Sequence, residues 1–302
     1  MSFYFGHVLF SQNQSHFVNE VLSILEKAEK KDKRYMEKLA ASFKIFDKTE
    51  VKELTELAIV IRARELAHQN NASSLHKFNN IVRLYQNQVN LSHRTSQSIL
   101  LQQYSTPAPI GYLAGLYTQI DTFNSSNKKL LFEPSAGNGL LTIAANPQSC
   151  IVNEIDNLRN KHLVVQGYYD SYKVDATKDF AHTIDLSFYQ KFDAVITNPP
   201  FGYAGKGFEI NGYPIATLEH LMAVRALETM KDTGKAAIII GGHTKYDEKG
   251  RIEKGAQRIF FNYLYAHYNV EDVIPINGSK LYSRQGTSFD TRLILINGRK
   301  ET

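Results

Sequence analysis

Apolar residues recur at helical spacing through the first third of the chain. Phe17, Val18, Val21, Leu22, Ile24 and Leu25 form one stripe, and Met36, Leu39, Ala40, Phe43 and Phe46 a second. Leu54, Leu57, Ile59, Val60, Ile61 and Leu66 mark a third helix within residues 51–68. Residues 75–89 carry a fourth, behind a cap at 71–74. Spacings of three and four place such positions on one helix face. Residues 1–95 contain no proline and read as an N-terminal all-helical domain. Near residue 95 the pattern changes. A helix over 109–122 leads into short apolar runs at 130–133, 150–155, 172–175, 193–197, 236–240, 270–276 and 292–296. Helical stretches at 156–166, 215–231 and 253–268 separate several of them. This alternation predicts a parallel sheet covered on both faces. The last two runs lie too close for a helix between them and are expected to pair antiparallel at an edge. Residues 96–302 therefore read as one α/β domain with a Rossmann-like, seven-stranded sheet.

Composition narrows the class. With 43% hydrophobic residues, 302 residues can bury a large core. No apolar run approaches the ~20 residues of a membrane span, and residues 1–17 lack the pattern of a signal peptide. Cys150 is the only cysteine, which excludes an internal disulfide framework and a cysteine-rich zinc site. A cytoplasmic protein, with no membrane partner and no metal, is expected. The net charge of +5 is compatible with a nucleic-acid partner. A basic cluster, Lys27, Lys30, Lys31, Lys33 and Arg34, suits phosphates or a solvated helix face equally.

The candidate chemistry sits at strand ends. The run 193–197 stops at Asn198-Pro199-Pro200-Phe201. Two prolines cannot donate to a sheet ladder, so the strand ends in a stiff turn. That is where open α/β sheets place their ligands. An amide oxygen and a flat ring on such a turn suit a planar group bearing an NH2. After the first strand comes Glu133-Pro134-Ser135-Ala136-Gly137-Asn138-Gly139. Its glycines permit a tight turn and close approach by a ligand. The loop lacks the third glycine of a dinucleotide fingerprint, the Gly-Lys-Ser/Thr of a P-loop and any basic residue, so it favours a phosphate-free cofactor. Glu154, beside Ile155, ends the second strand, where a carboxylate can accept ribose hydroxyls. Asp175 ends the third, where it can accept from an adenine amino group.

The order of these parts resembles the N6-adenine DNA methyltransferases, the γ-class and type I modification-subunit-like enzymes with an Asn-Pro-Pro-Tyr/Phe motif. Tyr104-Ser105-Thr106-Pro107 resembles that family's Tyr-x-Thr-Pro segment, although Thr106 also suits a helix cap with Pro107 at the first position. The resemblance covers residues 98–297. It implies a seven-stranded S-adenosylmethionine-dependent methyltransferase sheet with S-adenosyl-L-methionine as cofactor. Tyr104, Thr106, Pro107, Glu133, Ser135, Ala136, Gly137, Gly139, Glu154, Ile155, Asp175 and Asn198 are the cofactor-binding candidates. Asn198, Pro199, Pro200 and Phe201 are the catalytic ones. The Asn198 oxygen and the Pro199 carbonyl would accept both N–H bonds of an adenine flipped out of duplex DNA. Phe201, and Tyr282 in the loop 280–287, would stack on the base. Residues 202–214 read as a lid, and 243–258 as a basic loop. The family's C-terminal recognition domain is expected to be absent, because the chain ends at Thr302, shortly after the last strand. Sequence reading would then fall to the helices, the loops or a separate specificity subunit. RNA adenine, protein glutamine and a non-catalytic nucleic-acid-binding subunit remain as alternatives.

Overall fold

The computed structural model describes residues 10–91, 105–242 and 245–301. The expected domain boundary at 95 and the Tyr104 position fall outside them. Four helices come first: α1 (Gln12–Glu26), α2 (Lys33–Ser42), α3 (Lys48–Ala67) and α4 (Ser74–Asn87). Side chains of Ser11, Asp32, Asp47 and Ser73 cap them by accepting from backbone N–H groups of the first turn. Then follow α5 (Ala108–Thr118), β1 (Leu131–Glu133), β2 (Cys150–Asn153), α6 (Asn157–Val165), β3 (Asp170–Tyr172), α7 (Phe180–Thr183) and β4 (Phe192–Thr197). The chain continues through β5 (Tyr203–Ile210), β6 (Tyr213–Thr217), α8 (Leu218–Glu228), β7 (Met230–Gly241), α9 (Ala256–His267), β8 (Tyr268–Ile276), α10 (Gly278–Leu281) and β9 (Thr291–Arg299).

Seven strands form one sheet in the order β3-β2-β1-β4-β7-β9-β8. The first five pair in parallel. β9 runs antiparallel to both β7 and β8, so the expected reversed pair lies at the edge. Period-two alternation divides the strand residues between two cores. Ala194, Ile196, Ala237 and Ile239 face a core built with α1 to α5. Val195, Ala236, Ile238 and Ile240 face a second core built with α8 and α9. The N-terminal helices thus cover one face of the sheet and share its core. Within them α3 is buried along most of its length, including Glu53 and Glu56.

Three expectations shift. The third strand is Asp170–Tyr172, so Asp175 lies in the turn beyond it. Residues 202–214, expected as a lid, are ordered: β5 and β6 make a two-stranded hairpin. Asn211 (φ 49°) and Gly212 (φ 79°) form its tip, and a two-residue connection with both φ positive matches the twist of a hairpin. The basic loop closes on itself through an antiparallel bridge between Tyr246 and Ile252 and an Arg251–Asp247 ion pair. Among the described residues no helix is long and apolar enough to cross a membrane.

Candidate active site

A cleft of about 350 Å³ opens at the carboxyl ends of β1, β2, β3 and β4. It lies within the ~300–1,000 Å³ usual for small-molecule sites. Of the sequence candidates in the described residues, Thr106, Ser135, Ala136, Gly137, Glu154, Ile155, Asp175 and Asn198 to Phe201 line it. Pro107, Glu133 and Gly139 stand behind the lining.

The glycine loop is held from beneath. Glu133 is fully buried, and its Oε1 accepts from the Ser135 amide (3.1 Å) and hydroxyl (3.3 Å). Burial pushes its pKa well above the usual carboxylate range, so a neutral acid is favoured there. The Ser135 hydroxyl also pairs with Thr197 Oγ1 at 2.9 Å, tying the loop to the last residue of β4. Two glycines do different work. At Gly139 (φ +97°) a Cβ would lie 2.4 Å from the Tyr168 hydroxyl, so the glycine is needed for packing. At Gly137 (φ +56°) a Cβ would meet nothing within 4 Å, so that backbone faces open space.

Glu154 is only 5% exposed. It accepts from the Gly137 amide through Oε2 (2.8 Å) and from the Asp156 amide through Oε1 (2.9 Å). Burial raises its pKa. Each oxygen keeps a second lone pair, so the residue both supports the loop and can accept from a ligand. Ile155 is 50% exposed at the rim of the cleft. Asp175 Oδ1 accepts from the Thr177 amide (3.0 Å) and hydroxyl (2.8 Å), which fixes the outer wall.

At the other end, the Asn198 amide nitrogen donates to Thr106 Oγ1 at 2.9 Å. Thr106 therefore does not cap α5; Pro107 occupies the cap position without a side-chain bond. The Gly202 amide donates to Glu219 (3.2 Å), and its carbonyl accepts from the Leu218 amide (2.9 Å), so both ends of the hairpin are pinned where it meets the turn. Phe201 lines the cleft, and Tyr203 lines it with 77% of its surface exposed.

Tyr282 is corrected. It is 1% exposed, inside the core shared with the N-terminal helices, and does not line the cleft. Its loop is stitched to the helical layer: Tyr85 Oη donates to the Leu281 carbonyl (2.6 Å), and the Leu91 amide donates to the Arg284 carbonyl (2.9 Å). A ring anchored in that seam is not presented to a base.

Three residues were not among the candidates. The Asn153 side chain donates to the Pro134 and Val174 carbonyls (2.9 and 3.0 Å) and accepts from the Val174 amide (2.8 Å), locking three strand-end loops together. A polar residue in an otherwise apolar strand was its signal. Glu53 of α3 binds Arg159 (2.9 and 3.1 Å) and Asn138 (2.7 Å). Glu56, one turn later, lines the cleft itself.

The lining suits a cationic, phosphate-free ligand. It presents the carboxyls of Glu56, Glu154 and Asp175, while Arg159 is engaged by Glu53. Buried acceptors match the hydroxyls and the positive charges of S-adenosylmethionine. Among the described residues no cluster of histidine, cysteine and acidic side chains is placed to hold a metal ion.

No protein-family model matches the chain. It is 33% identical over 112 residues to the rRNA N(6)-adenosine-methyltransferase METTL5 of Danio rerio, a match covering 34% of this chain and 52% of that protein. The chain thus spans about half the length of that relative. A putative class I S-adenosylmethionine-dependent methyltransferase from Listeria monocytogenes superposes with a TM-score of 0.53 at 12% identity, over 95% of this chain and 90% of that one. A chain from a type I restriction–modification system superposes with a TM-score of 0.51 at 13% identity, over 97% and 64%. The strand order, the reversed β9 and these superpositions agree: the chain has the Rossmann-like fold of the class I S-adenosylmethionine-dependent methyltransferases.

Proposed function

We propose that the protein transfers a methyl group from S-adenosylmethionine to the N6 amino group of adenine in nucleic acid, with DNA as the first reading. The observation that carries this is the Asn198–Phe201 turn, which presents an anchored amide and an aromatic ring to the cofactor cleft. Bound S-adenosylmethionine supplies an electrophilic methyl group on a sulfonium sulfur. The protein's task is to make the adenine amine nucleophilic and to hold it. Asn198 donates its amide nitrogen to Thr106, which directs the amide oxygen the other way. This oxygen and the Pro199 carbonyl accept the two N–H bonds of the amine and draw its lone pair out of the ring plane. The prolines keep both acceptors fixed, so orientation precedes reaction. Phe201 stacks on the base. An adenine within a duplex cannot reach this depth, so the base is flipped out, and stacking of ~1–3 kcal/mol per base offsets part of the unpairing.

DNA is favoured by the Thr106–Pro107 segment, which resembles that of the DNA enzymes and is bonded here to the catalytic asparagine. RNA is the second reading, supported by the identity to the zebrafish rRNA methyltransferase. A separate specificity subunit belongs to the first reading. Radiolabelled S-adenosylmethionine offered with duplex DNA, single-stranded DNA, RNA and a protein extract tests both. Label in N6-methyladenine from DNA supports the first reading and label from RNA the second. Label only in protein would overturn them.

A further inference from the structure

Glu56 is a fully buried carboxyl that lines the cofactor cleft. Neither oxygen has a hydrogen-bond partner among the described residues. The Ser105 hydroxyl lies near enough to act on the carboxyl but outside hydrogen-bond geometry. Its neighbour Glu53, one helical turn away, is saturated by contrast. Glu53 takes Arg159 at 2.9 and 3.1 Å, Asn138 at 2.7 Å and Lys52 at 3.3 Å. The two carboxyls share a helix and a core but not a function. Glu53 ties α3 to the glycine loop and α6. Glu56 has the same burial but feels Arg159 and Lys52 only through their charge, while both pair directly with Glu53, and burial raises its pKa. An unsatisfied buried polar group costs ~1–3 kcal/mol and more when charged, so its persistence at a cleft wall points to a donor that arrives with the ligand.

The ligand offers few such donors. Its ribose hydroxyls are served by Glu154 at the end of β2, and its adenine amine by the rim at Asp175. The remaining strong donor is the α-ammonium of the methionine end, which carries three N–H groups and a full charge. The wall where Glu56 sits also contains Ser105 and Asn138, next to the glycine loop and the Thr106–Asn198 bond. We propose that Glu56, contributed by the N-terminal helical layer, binds the α-ammonium of the cofactor. The helical layer would then complete the cofactor site and would not be merely an appended nucleic-acid-binding module. The inference rests on S-adenosylmethionine as cofactor but not on the identity of the methyl acceptor.

Calorimetric titration with S-adenosylhomocysteine tests it. That molecule keeps the ammonium and lacks the sulfonium charge. Its deaminated analogue, with hydrogen in place of the α-amino group, serves as the control. The wild-type protein should bind S-adenosylhomocysteine at least tenfold more tightly than the analogue. Glu56→Gln should lose at least tenfold toward S-adenosylhomocysteine and less than threefold toward the analogue. Glu56→Leu, which removes the polar group altogether, should behave alike. Both variants should unfold at the same or a higher temperature than the wild type when ligand-free, because a buried unpaired acid has gone. A purely structural glutamate would show the reverse. Unchanged affinity of Glu56→Gln for S-adenosylhomocysteine would overturn the assignment, as would equal losses for the two ligands. Equal affinity of the wild type for both would do so without any variant. If neither ligand binds the wild type, the cofactor reading fails and takes this inference with it.

Discussion

The two ends of the cleft are built on different principles. The cofactor end is a set of buried polar residues that hold one another: Glu133 to Ser135, Ser135 to Thr197, Glu154 to Gly137, Asn153 to the loops on either side. The acceptor end is one stiff turn, pinned by Thr106 and Glu219, with two aromatic rings beside it. A cofactor that is the same in every turnover suits a preformed, networked pocket. On the proposed reading, a base brought in from a polymer suits a rigid turn with an exposed ring beside it. Damage at the first end should therefore spread into stability, and damage at the second should stay in the reaction.

Glu53→Ala gives the largest expected effect on folding. It leaves the Arg159 charge buried without its carboxylate and strips Asn138 of an acceptor. Breaking a buried pair in this way costs about 3–5 kcal/mol, measurable by urea unfolding. A loss under 1 kcal/mol would mean that water reaches the pair. The glycines come next. Gly139→Ala forces a Cβ against Tyr168 at a strained φ and should cost about 2–5 kcal/mol, strain and overpacking together. Gly137→Ala, in open space at φ +56°, should cost about 1–2 kcal/mol. It should, however, weaken S-adenosylhomocysteine binding, because the methyl group protrudes toward the ligand. Equal unfolding energies would erase the distinction between a packing glycine and a ligand glycine.

At the other end, Tyr203→Ala should leave unfolding untouched and weaken nucleic-acid binding by the ~1–3 kcal/mol of one stacked base. Tyr282→Phe should leave that binding unchanged. Fluorescence anisotropy with a labelled oligonucleotide separates the two. The smallest effect is a pH dependence. Burial raises the Glu133 pKa in the folded state above its unfolded value. The favourable contribution of the neutral acid is thus complete below the unfolded pKa, near 4.3, and is lost as pH rises toward the folded value. Glu133→Gln keeps the acceptor for Ser135 and removes the ionisation. Its melting temperature relative to wild type should climb from pH 5 to pH 8. A constant difference would show that Glu133 is not neutral in the fold.

The sequence was most readable at the cofactor end. Strand periodicity and the glycine loop point to Glu154 and Gly137, and the structure brings both to the cleft. The reversed β9 followed from the short link before it. Less was legible where burial decides a residue's role. Tyr282 sits in a loop with no apolar periodicity, and partners far away in sequence, among them Tyr85, Gln86 and Leu91, draw that loop into the helical layer. Tyr203 carried the opposite ambiguity, an exposed ring that no pattern distinguishes from a core one. The hairpin did announce itself: Asn211-Gly212 is a strong turn signal within the glycine-rich segment that reads as a lid. Glu53 and Glu56 were also visible as two acids one turn apart, next to the apolar run 57–61. What the sequence could not assign was their different partners, because Arg159 and Asn138 reach Glu53 across 106 and 85 positions respectively.

The most direct test of this two-ended cleft is Asn198→Ala, measured by calorimetry with S-adenosylhomocysteine and by single-turnover methyl transfer on the same preparation. Affinity should stay within threefold of wild type, while transfer should fall by ~10²–10³, the usual loss for one preorganised polar contact at a reacting group. Parallel losses in binding and transfer, or unchanged transfer, would contradict it.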